Sequence, residues 1–192
     1  MDLSETVGKA IRLSLGVSSL DIYMGREVDR LLIREFLYSR FPEQFESRES
    51  VLDLSKPPVS VFKSISISHC PGHTGVLIGN RSDGLFGLDL ELVTRVKEPV
   101  ARRVALEGEI EATPSFAHLW VAKEAFYKAL PKTLQSTTIS QLLISHWKQL
   151  GENSWTFSAT TAAGNLKGLG LVILENSDLA IGVAHVSNEL LK

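Results

Sequence analysis

The segment from about Pro114 to Leu130 constrains the fold more than any other part of the sequence, because it predicts one well-delimited helix. Thr113 is a favourable N-cap, Pro114 suits the first helical position, and Pro131 ends the helix. Apolar residues recur at the spacing of one helical face: Ala122, Ala125, Phe126, Ala129 and Leu130. We therefore expect a helix with one buried face just past the middle of the chain.

A second stripe of this predicted helix carries polar chemistry. Trp120, Glu124 and Lys128 follow one another at intervals of one helical turn, so they lie in line at the edge of the buried face. Taken alone, a Glu–Lys pair at this spacing is an ordinary surface pair worth about 0.2–0.5 kcal/mol. Its significance depends on which other residues the chain brings to it.

Length and composition indicate an ordinary globular protein. The 192 residues can bury a full core as one large domain or two small ones, and the hydrophobic and charged fractions of 44% and 22% are typical. A formal net charge of −2 gives no overall attraction to nucleic acid or to an anionic membrane. A polyanionic ligand would therefore need a local basic cluster.

The single cysteine excludes an internal disulfide framework and fits a reducing compartment. The sequence shows neither the pattern of a secretory leader nor an apolar run long enough to span a bilayer. We therefore expect a cytoplasmic protein that binds neither membrane nor nucleic acid.

Hydrophobic periodicity predicts helices early in the chain and strands later. Residues 1–16 predict a short helix, residues 20–41 a longer one, and the polar, proline-rich residues 42–60 a loop. Alternating or continuous apolar runs predict strands at Ser64–Ser68, Gly75–Gly79, Leu85–Leu92, Leu142–Leu150, Trp155–Thr160, Leu166–Leu174 and Leu179–Val186.

The order of these elements predicts an α+β fold made of two similar halves, each a long helix followed by a small antiparallel sheet. We expect residues 1–20 to form an N-terminal extension, residues 21–98 the first half and residues 99–192 the second. Two such halves packed face to face, as a pseudodimer, leave a cleft where a ligand can bind. Because one chain supplies both halves, a monomer is expected.

The stretch Gly87-Leu-Asp-Leu-Glu91 places two carboxylates one pleat apart on a predicted strand. Asp89 and Glu91 then share one face, while the leucines between them point to the other. Neighbouring carboxylates repel each other unless a cation lies between them, and hard oxygen ligands suit Mg²⁺. The alternative is a strand face that is simply solvated.

A third informative stretch, Ser66-Ile-Ser68-His69-Cys70, ends a predicted strand at a turn. Ser68 and His69 can donate hydrogen bonds to a phosphate group. Cys70 and His69 are adjacent on a strand and point to opposite faces, which disfavours a thiol–imidazole dyad. Cys70 is better interpreted as a small buried residue.

Together these stretches resemble one enzyme family. Gly87-Leu-Asp-Leu-Glu91 and Trp120-Val-Ala-Lys-Glu-Ala-Phe-Tyr-Lys128 are similar to the paired signature of the 4′-phosphopantetheinyl transferases. Ser66-Ile-Ser-His69 and Lys56-Pro57 resemble further motifs of the larger, pseudodimeric, surfactin-synthetase-activating type. The resemblance covers roughly residues 24–186, with four short motifs in the right order.

The resemblance implies a Mg²⁺-dependent transferase that moves 4′-phosphopantetheine from coenzyme A to a serine of an acyl or peptidyl carrier protein. It implies that Asp89, Glu91 and Glu124 hold the Mg²⁺. Lys128 would then pair with a phosphate oxygen as part of the catalytic group.

The same resemblance places Ser68 and His69 against the coenzyme A phosphates, with His69 also counted as catalytic, and Lys56 at the mouth of the coenzyme A site. Glu109 stands where some members place a carboxylate that helps to deprotonate the serine. Glu124 has the same role in other accounts of the family, so two candidates for the base remain open.

The sequence also departs from the family pattern. Ser66 replaces a usual Asn, and Cys70 replaces a usual Ser. The N-terminal lobe is short, so that Lys9, Arg12 or Arg26 would have to supply the cation for the 3′-phosphate.

These departures motivate a second hypothesis, a non-catalytic module that binds coenzyme A or a carrier protein. A third is a Mg²⁺-dependent phosphodiesterase that uses the same acids on another diphosphate.

Overall fold

A computed structural model describes residues 3–17, 19–26, 29–135, 138–162, 164 and 166–190. These residues form a mixed α+β fold with six α-helices and eight strands. The helices are α1 (Leu3–Leu15), α2 (Arg30–Arg40), α3 (Arg48–Leu52), α4 (Glu98–Val104), α5 (Glu109–Ala112) and α6 (Phe116–Ala129). The strands are β1 (Leu20–Arg26), β2 (Lys63–Cys70), β3 (His73–Asn80), β4 (Leu85–Leu92), β5 (Leu142–Gly151), β6 (Ser154–Thr161), β7 (Lys167–Glu175) and β8 (Leu179–Val186).

The strands form two antiparallel sheets of unequal size. The smaller sheet has the order β1-β3-β2, and the larger has the order β4-β8-β7-β6-β5. Strand β4 follows β3 in the chain, yet it pairs along its whole length with β8, from Leu85 opposite Val186 to Leu92 opposite Leu179. The first half of the chain therefore contributes an edge strand to the sheet of the second half.

A row of serine hydroxyls joins the two sheets where β2 runs beside β4. Each hydroxyl accepts a hydrogen bond from a backbone N–H of β4: Ser64 from Phe86 at 2.9 Å, Ser66 from Leu88 at 2.9 Å and Ser68 from Leu90 at 3.0 Å. We call this row the serine seam. All three serines are buried, whereas the isoleucines between them are only partly buried. The serine hydroxyls thus provide hydrogen-bond acceptors for backbone N–H groups at the edge of β4, where no neighbouring strand pairs with it.

The predicted helix over residues 20–41 is wrong in its first part. Residues 20–26 form β1, which pairs with β3, and α2 begins only at Arg30. Asp29 starts the helix, because its carboxylate accepts hydrogen bonds from the backbone N–H groups of Leu31 and Leu32, both at 2.8 Å. Pairing across the sheet overrides the helical periodicity upstream of this cap.

Two smaller predictions also need correction. The predicted loop over residues 42–60 contains the short helix α3, capped by Ser47, whose hydroxyl accepts from the N–H of Ser50. Helix α6 is capped by Ser115, not by Thr113, whose hydroxyl instead donates to the carbonyl of Ser115 at 2.9 Å. The serine hydroxyl accepts from His118 N–H and so replaces the expected cap.

Helix α6 lies directly on the larger sheet because two glycines leave room for its backbone. A Cβ atom at Gly87 would come within 1.9 Å of the carbonyl oxygen of Ala125, and one at Gly182 within 2.5 Å of that of Val121. Atoms cannot approach so closely, so any side chain at Gly87 would lift the helix. This contact sets the height of α6 above β4.

The residues of the predicted apolar face of α6 are all buried, in a core shared with strands of the larger sheet. A second buried cluster lies around α1, β1 and β4, and a third between α2 and the smaller sheet. In the part of the chain that the structure describes, every helix is too short or too polar to cross a membrane.

Candidate functional site

A pocket of about 560 Å³ opens between β2, β4, α6 and the segment before β2. Its charged and imidazole side chains come from these elements and from α2: Arg30, Arg34, Lys56, His69, Asp89, Glu91, Glu124 and Lys128. Of the residues predicted to hold the metal, contact the phosphates or act in catalysis, all except Glu109 and the three cations considered for the 3′-phosphate line this pocket. Trp120, the first member of the polar stripe on α6, lines it too.

Asp89 and Lys128 form the centre of the pocket. Lys128 Nζ lies 2.7 Å from Asp89 Oδ1, and Lys128 also donates to the hydroxyl of Ser68 and to the carbonyl of Leu88, both at 3.2 Å. Ser68 donates its own proton to Asp89 Oδ1 at 2.9 Å. Asp89 is 6% exposed, so its charge is balanced locally by the ammonium group.

Glu124 lies one helical turn before Lys128 on α6 and lines the same pocket. Burial raises the pKa of its carboxyl group; the charges of Asp89 and Glu91 act in the same direction, and Lys128 opposes them. Among the described residues, no hydrogen bond or ion pair holds its carboxylate. Glu124 is therefore a half-buried acid that repels its acidic neighbours.

Glu91 is held differently from the other two acids. Its Oε1 atom accepts hydrogen bonds from the backbone N–H of Leu92 at 2.9 Å and from Arg95 Nη1 at 3.1 Å. The carboxylate lines the pocket but is already paired with a partly exposed cation. Glu91 is available to a ligand only to the extent that the Arg95 side chain moves away from it into solvent.

Within the described ranges, no three His, Cys, Asp or Glu side chains are placed closely enough to enclose a metal ion. The chemistry of the donors nevertheless fits Mg²⁺. Asp89, Glu91 and Glu124 are hard oxygen donors that line one pocket, and the charges of the other two raise the pKa of Glu124. A divalent cation would relieve this repulsion.

His69 receives a hydrogen bond from a residue that the sequence did not single out. Arg30 Nε donates to His69 Nε2 at 2.7 Å. Burial lowers the pKa of His69, and the charges of Arg30 and Lys128 lower it further, against the opposing effect of Asp89. The imidazole is thus neutral and accepts from the guanidinium group. The N-cap Asp29, just before Arg30, is the sequence signal that could have placed this arginine at a helix start.

Lys56 lies in a segment that a buried arginine holds in place. Arg34 donates to the carbonyl oxygens of Val51 at 2.6 Å, Asp53 at 2.8 Å and Lys56 at 2.8 Å. The ammonium group of Lys56 lies 3.3 Å from Asp53 and is largely exposed. Arg34 therefore fixes the backbone of this pocket wall, while the lysine side chain remains at the surface.

The three cations considered for a 3′-phosphate do not line the pocket. Arg12 Nη1 donates to the carbonyl of Leu20 at 2.7 Å, Arg26 lines a separate cavity, and Lys9 lies on α1. The structure brings Arg30 and Arg34 to the pocket instead. Both come from α2, whose start the periodicity placed too early.

Glu109 is not part of the pocket. Its Oε2 atom lies 2.6 Å from Lys123 Nζ and accepts from the N–H of Leu106 at 2.5 Å, while Oε1 accepts from the N–H of Ile144 at 2.6 Å. Lys123 also donates to the carbonyl of Leu142. Both side chains are enclosed, which leaves no access for a substrate hydroxyl. Glu109 thus holds α5, α6 and β5 together.

Cys70 is buried, as the sequence predicts. Burial raises the pKa of its thiol to about 11, and the neighbouring carboxylates of Glu91 and Asp89 add to this effect. A thiol with such a pKa is protonated at neutral pH and is a poor nucleophile. The residue fills space beneath the acidic strand.

No model of a known protein family matches this sequence, and no curated protein is similar enough to count as a relative. The function is therefore inferred from the residues and geometry of the site.

Proposed function

We propose that the chain is a 4′-phosphopantetheinyl transferase. It would move the 4′-phosphopantetheine group of coenzyme A onto a serine hydroxyl of an acyl or peptidyl carrier protein and release adenosine 3′,5′-bisphosphate. One observation supports this most strongly: Asp89 from β4 and Glu124 and Lys128 from α6 line one pocket, with Lys128 Nζ 2.7 Å from Asp89. These residues match the paired motifs of the family.

In this proposal Asp89, Glu91 and Glu124 would hold a Mg²⁺ ion. When bound, the ion would neutralise charge on the pyrophosphate of coenzyme A. Lys128 is the ammonium group closest to these acids among the described residues and would pair with a phosphate oxygen as the bond to the leaving group breaks. The three carboxylates outnumber the two cations in contact with them, Lys128 and Arg95, so the positive charge that offsets the pyrophosphate would have to come from the bound ion.

The base that takes the serine proton is assigned to Glu124, directly or through a water molecule. Its carboxylate lines the pocket and has no hydrogen bond or ion pair among the described residues, so it is open to a substrate hydroxyl. Glu109, the other candidate from the sequence, is enclosed and fully hydrogen-bonded. Its contribution would be to stability.

Cations and donors around the pocket would hold the remaining phosphates. Arg30 and His69 line the pocket and are hydrogen-bonded to each other, with Arg30 as the donor, and Lys56 lies on the loop that Arg34 anchors. Coenzyme A carries a pyrophosphate and a 3′-phosphate, so its binding needs a local excess of positive charge that the whole chain lacks. Arg30 is the residue that we add to the predicted set.

A pseudodimeric architecture, a monomeric state and a cytoplasmic location are parts of the same proposal. One chain provides strands, helices and side chains on both sides of the pocket. Elution of the protein at the mass of a single chain, with and without coenzyme A, would support this. Carrier proteins of fatty acid, polyketide or nonribosomal peptide synthesis are the partners to test.

The decisive experiment incubates the protein with coenzyme A, Mg²⁺ and several apo carrier proteins and measures the mass of each carrier. A gain of one phosphopantetheine group, absent with a carrier whose acceptor serine is replaced by alanine, supports the proposal. No gain with any carrier, under conditions where a known transferase modifies them all, contradicts it. Release of phosphopantetheine without a carrier would instead indicate the phosphodiesterase.

A binding module without turnover is the second candidate. Its support is that Glu91 is paired with Arg95 and Asp89 with Lys128, so that two of the three proposed metal ligands already have a cation. Calorimetry separates the candidates. Tight binding of coenzyme A or carrier protein that is indifferent to Mg²⁺ and yields no product favours the module.

A further inference from the structure

The three hydroxyls of the serine seam make the same contact with β4, but only one of them continues into the pocket. Ser64 and Ser66 accept a backbone hydrogen bond from β4, and Ser68 does so at 3.0 Å from Leu90. Ser68 alone also contacts charged groups, since it donates to Asp89 Oδ1 and accepts from Lys128. The seam therefore ends at the acidic centre of the pocket.

The hydrogen-bonding capacity of Ser68 is fully used. A serine hydroxyl has one proton to donate and two lone pairs that accept. The proton goes to Asp89 Oδ1 at 2.9 Å, and the lone pairs receive Leu90 N–H at 3.0 Å and Lys128 Nζ at 3.2 Å. Ser68 is 4% exposed, so it has no second proton and little free surface to offer a phosphate group.

The contacts of Ser68 and Lys128 orient the carboxylate of Asp89. Its Oδ1 atom accepts from both Ser68 and Lys128, which fixes the plane of the carboxylate. Its Oδ2 atom accepts no hydrogen bond from the described residues, although Asp89 itself lines the pocket. Two bonds on one oxygen thus leave the other free for a ligand.

We propose that Ser68 is a positioning residue, which uses the serine seam to hold the Asp89 carboxylate with Oδ2 toward a divalent cation in the pocket. This proposal rests on the proposed function for the identity of the cation, and it differs from the role that sequence resemblance implies, a direct contact with phosphate. Partners that orient a ligating carboxylate typically change metal affinity by about 10–100-fold when removed.

The test compares Ser68→Ala with Ser66→Ala in the full chain. Each variant removes one acceptor of a β4 N–H group, so both disturb the seam equally, but only the first releases Asp89. Binding of Mn²⁺ alone, followed by electron paramagnetic resonance, is the first readout. We expect Ser68→Ala to weaken Mn²⁺ binding about tenfold or more, and Ser66→Ala to leave it within about twofold.

A second readout needs neither metal nor substrate. Urea unfolding of a double-mutant cycle with Asp89→Asn measures whether each serine is coupled to the carboxylate. The effects of Ser68→Ala and Asp89→Asn on the unfolding constant should depart from additivity by about threefold or more. The effects of Ser66→Ala and Asp89→Asn should be additive, because these residues share no hydrogen bond.

The outcomes separate this inference from the proposed function. If no carrier protein is modified, yet the two serine variants still differ in Mn²⁺ binding as expected, the transferase proposal fails and the positioning role of Ser68 stands. If both variants weaken Mn²⁺ binding equally, or the wild-type chain binds no Mn²⁺, the positioning role is overturned. Additive behaviour of Ser68 and Asp89 would overturn it as well.

Discussion

Helix α6 carries two lysines that are each paired with an acid from another element at a similar distance, but the two pairs differ in exposure. Lys123 lies 2.6 Å from Glu109, with the side chains 0% and 2% exposed. Lys128 lies 2.7 Å from Asp89, with the side chains 29% and 8% exposed. The first pair is sealed in the protein, and the second faces a pocket.

The difference distinguishes a structural ion pair from one that we propose to act on a ligand. Both oxygens of Glu109 accept backbone hydrogen bonds, and Lys123 donates to a backbone carbonyl, so the sealed pair is saturated. Asp89 keeps one oxygen without a hydrogen bond from the described residues, and Glu124 beside it has no such partner at all. Unused hydrogen-bonding capacity toward a pocket, more than charge or proximity, distinguishes the second pair from the first.

Breaking the sealed pair should have the largest effect on stability. Lys123→Met leaves Glu109 buried without its cation, and removal of one partner of such a pair costs about 3–5 kcal/mol. Urea unfolding followed by circular dichroism measures this loss. A change below about 1 kcal/mol would show that the sealed pair contributes nothing special.

The same substitution in the pocket should act on activity instead. If the chain is a transferase as proposed, Lys128→Met removes the cation assigned to the transferring phosphate and should reduce phosphopantetheine transfer by about 10²–10³-fold. The unfolding free energy should fall by less than in Lys123→Met, because the Lys128 side chain is partly exposed and solvent can reach the site through the pocket. Equal stability losses for Lys123→Met and Lys128→Met would contradict the comparison.

Acid should lower the free energy of unfolding through His118, a buried histidine of α6 outside the pocket. This residue is 2% exposed, and burial lowers its pKa to about 4 from 6.5. Below pH 6.5 the unfolded chain takes up a proton that the folded chain refuses, so stability declines as the pH falls from 6.5 to about 4, by about 3 kcal/mol in total.

The measurement for His118 is the unfolding free energy across this pH range for the wild type and for His118→Gln. The variant should lack this part of the decline, whereas His69→Gln, in the pocket, should keep it. A His118→Gln curve parallel to that of the wild type would show that the imidazole is protonated in the folded state.

An exposed pair completes the series with the smallest effect. Glu98 and Arg102 are one turn apart on α4, with side chains 50% and 57% exposed, at a distance of 2.7 Å. Glu98→Gln should change the unfolding free energy by less than about 0.5 kcal/mol and leave transfer unchanged. A larger loss would mean that exposure is a poor guide to the energy of these ion pairs.

Much of the secondary structure follows from local patterns in the sequence. Strands β4 and β8 have the predicted bounds, and α6 differs from its prediction by two residues at one end and one at the other. Alternation and helical spacing depend only on residues close together in the sequence, so they predict strands and helices without knowledge of the tertiary fold. The predicted carboxylates of β4 and α6 also line one pocket, although no local pattern brings these two elements together.

What the sequence could not supply is the long-range pairing. Nothing local shows that β4 leaves the first sheet for β8, or that the serines of β2 are more buried than its isoleucines. The assignment of Glu109 was unreliable for a similar reason: a charged side chain looks the same in a sequence whether it faces a pocket or a buried lysine. Arg30 was missed because the helix start was placed too early.

The crossing of β4 into the larger sheet decides where this chain can be divided for expression. A cut between residues 98 and 99 would separate β8, which is buried along its whole length, from its pairing partner β4. The second piece would then expose an unpaired apolar edge strand, which is prone to aggregation. A cut in the turn between Asn80 and Leu85 would leave the larger sheet intact. Two pieces made at that turn should then recombine through the hydroxyls of β2 when produced together.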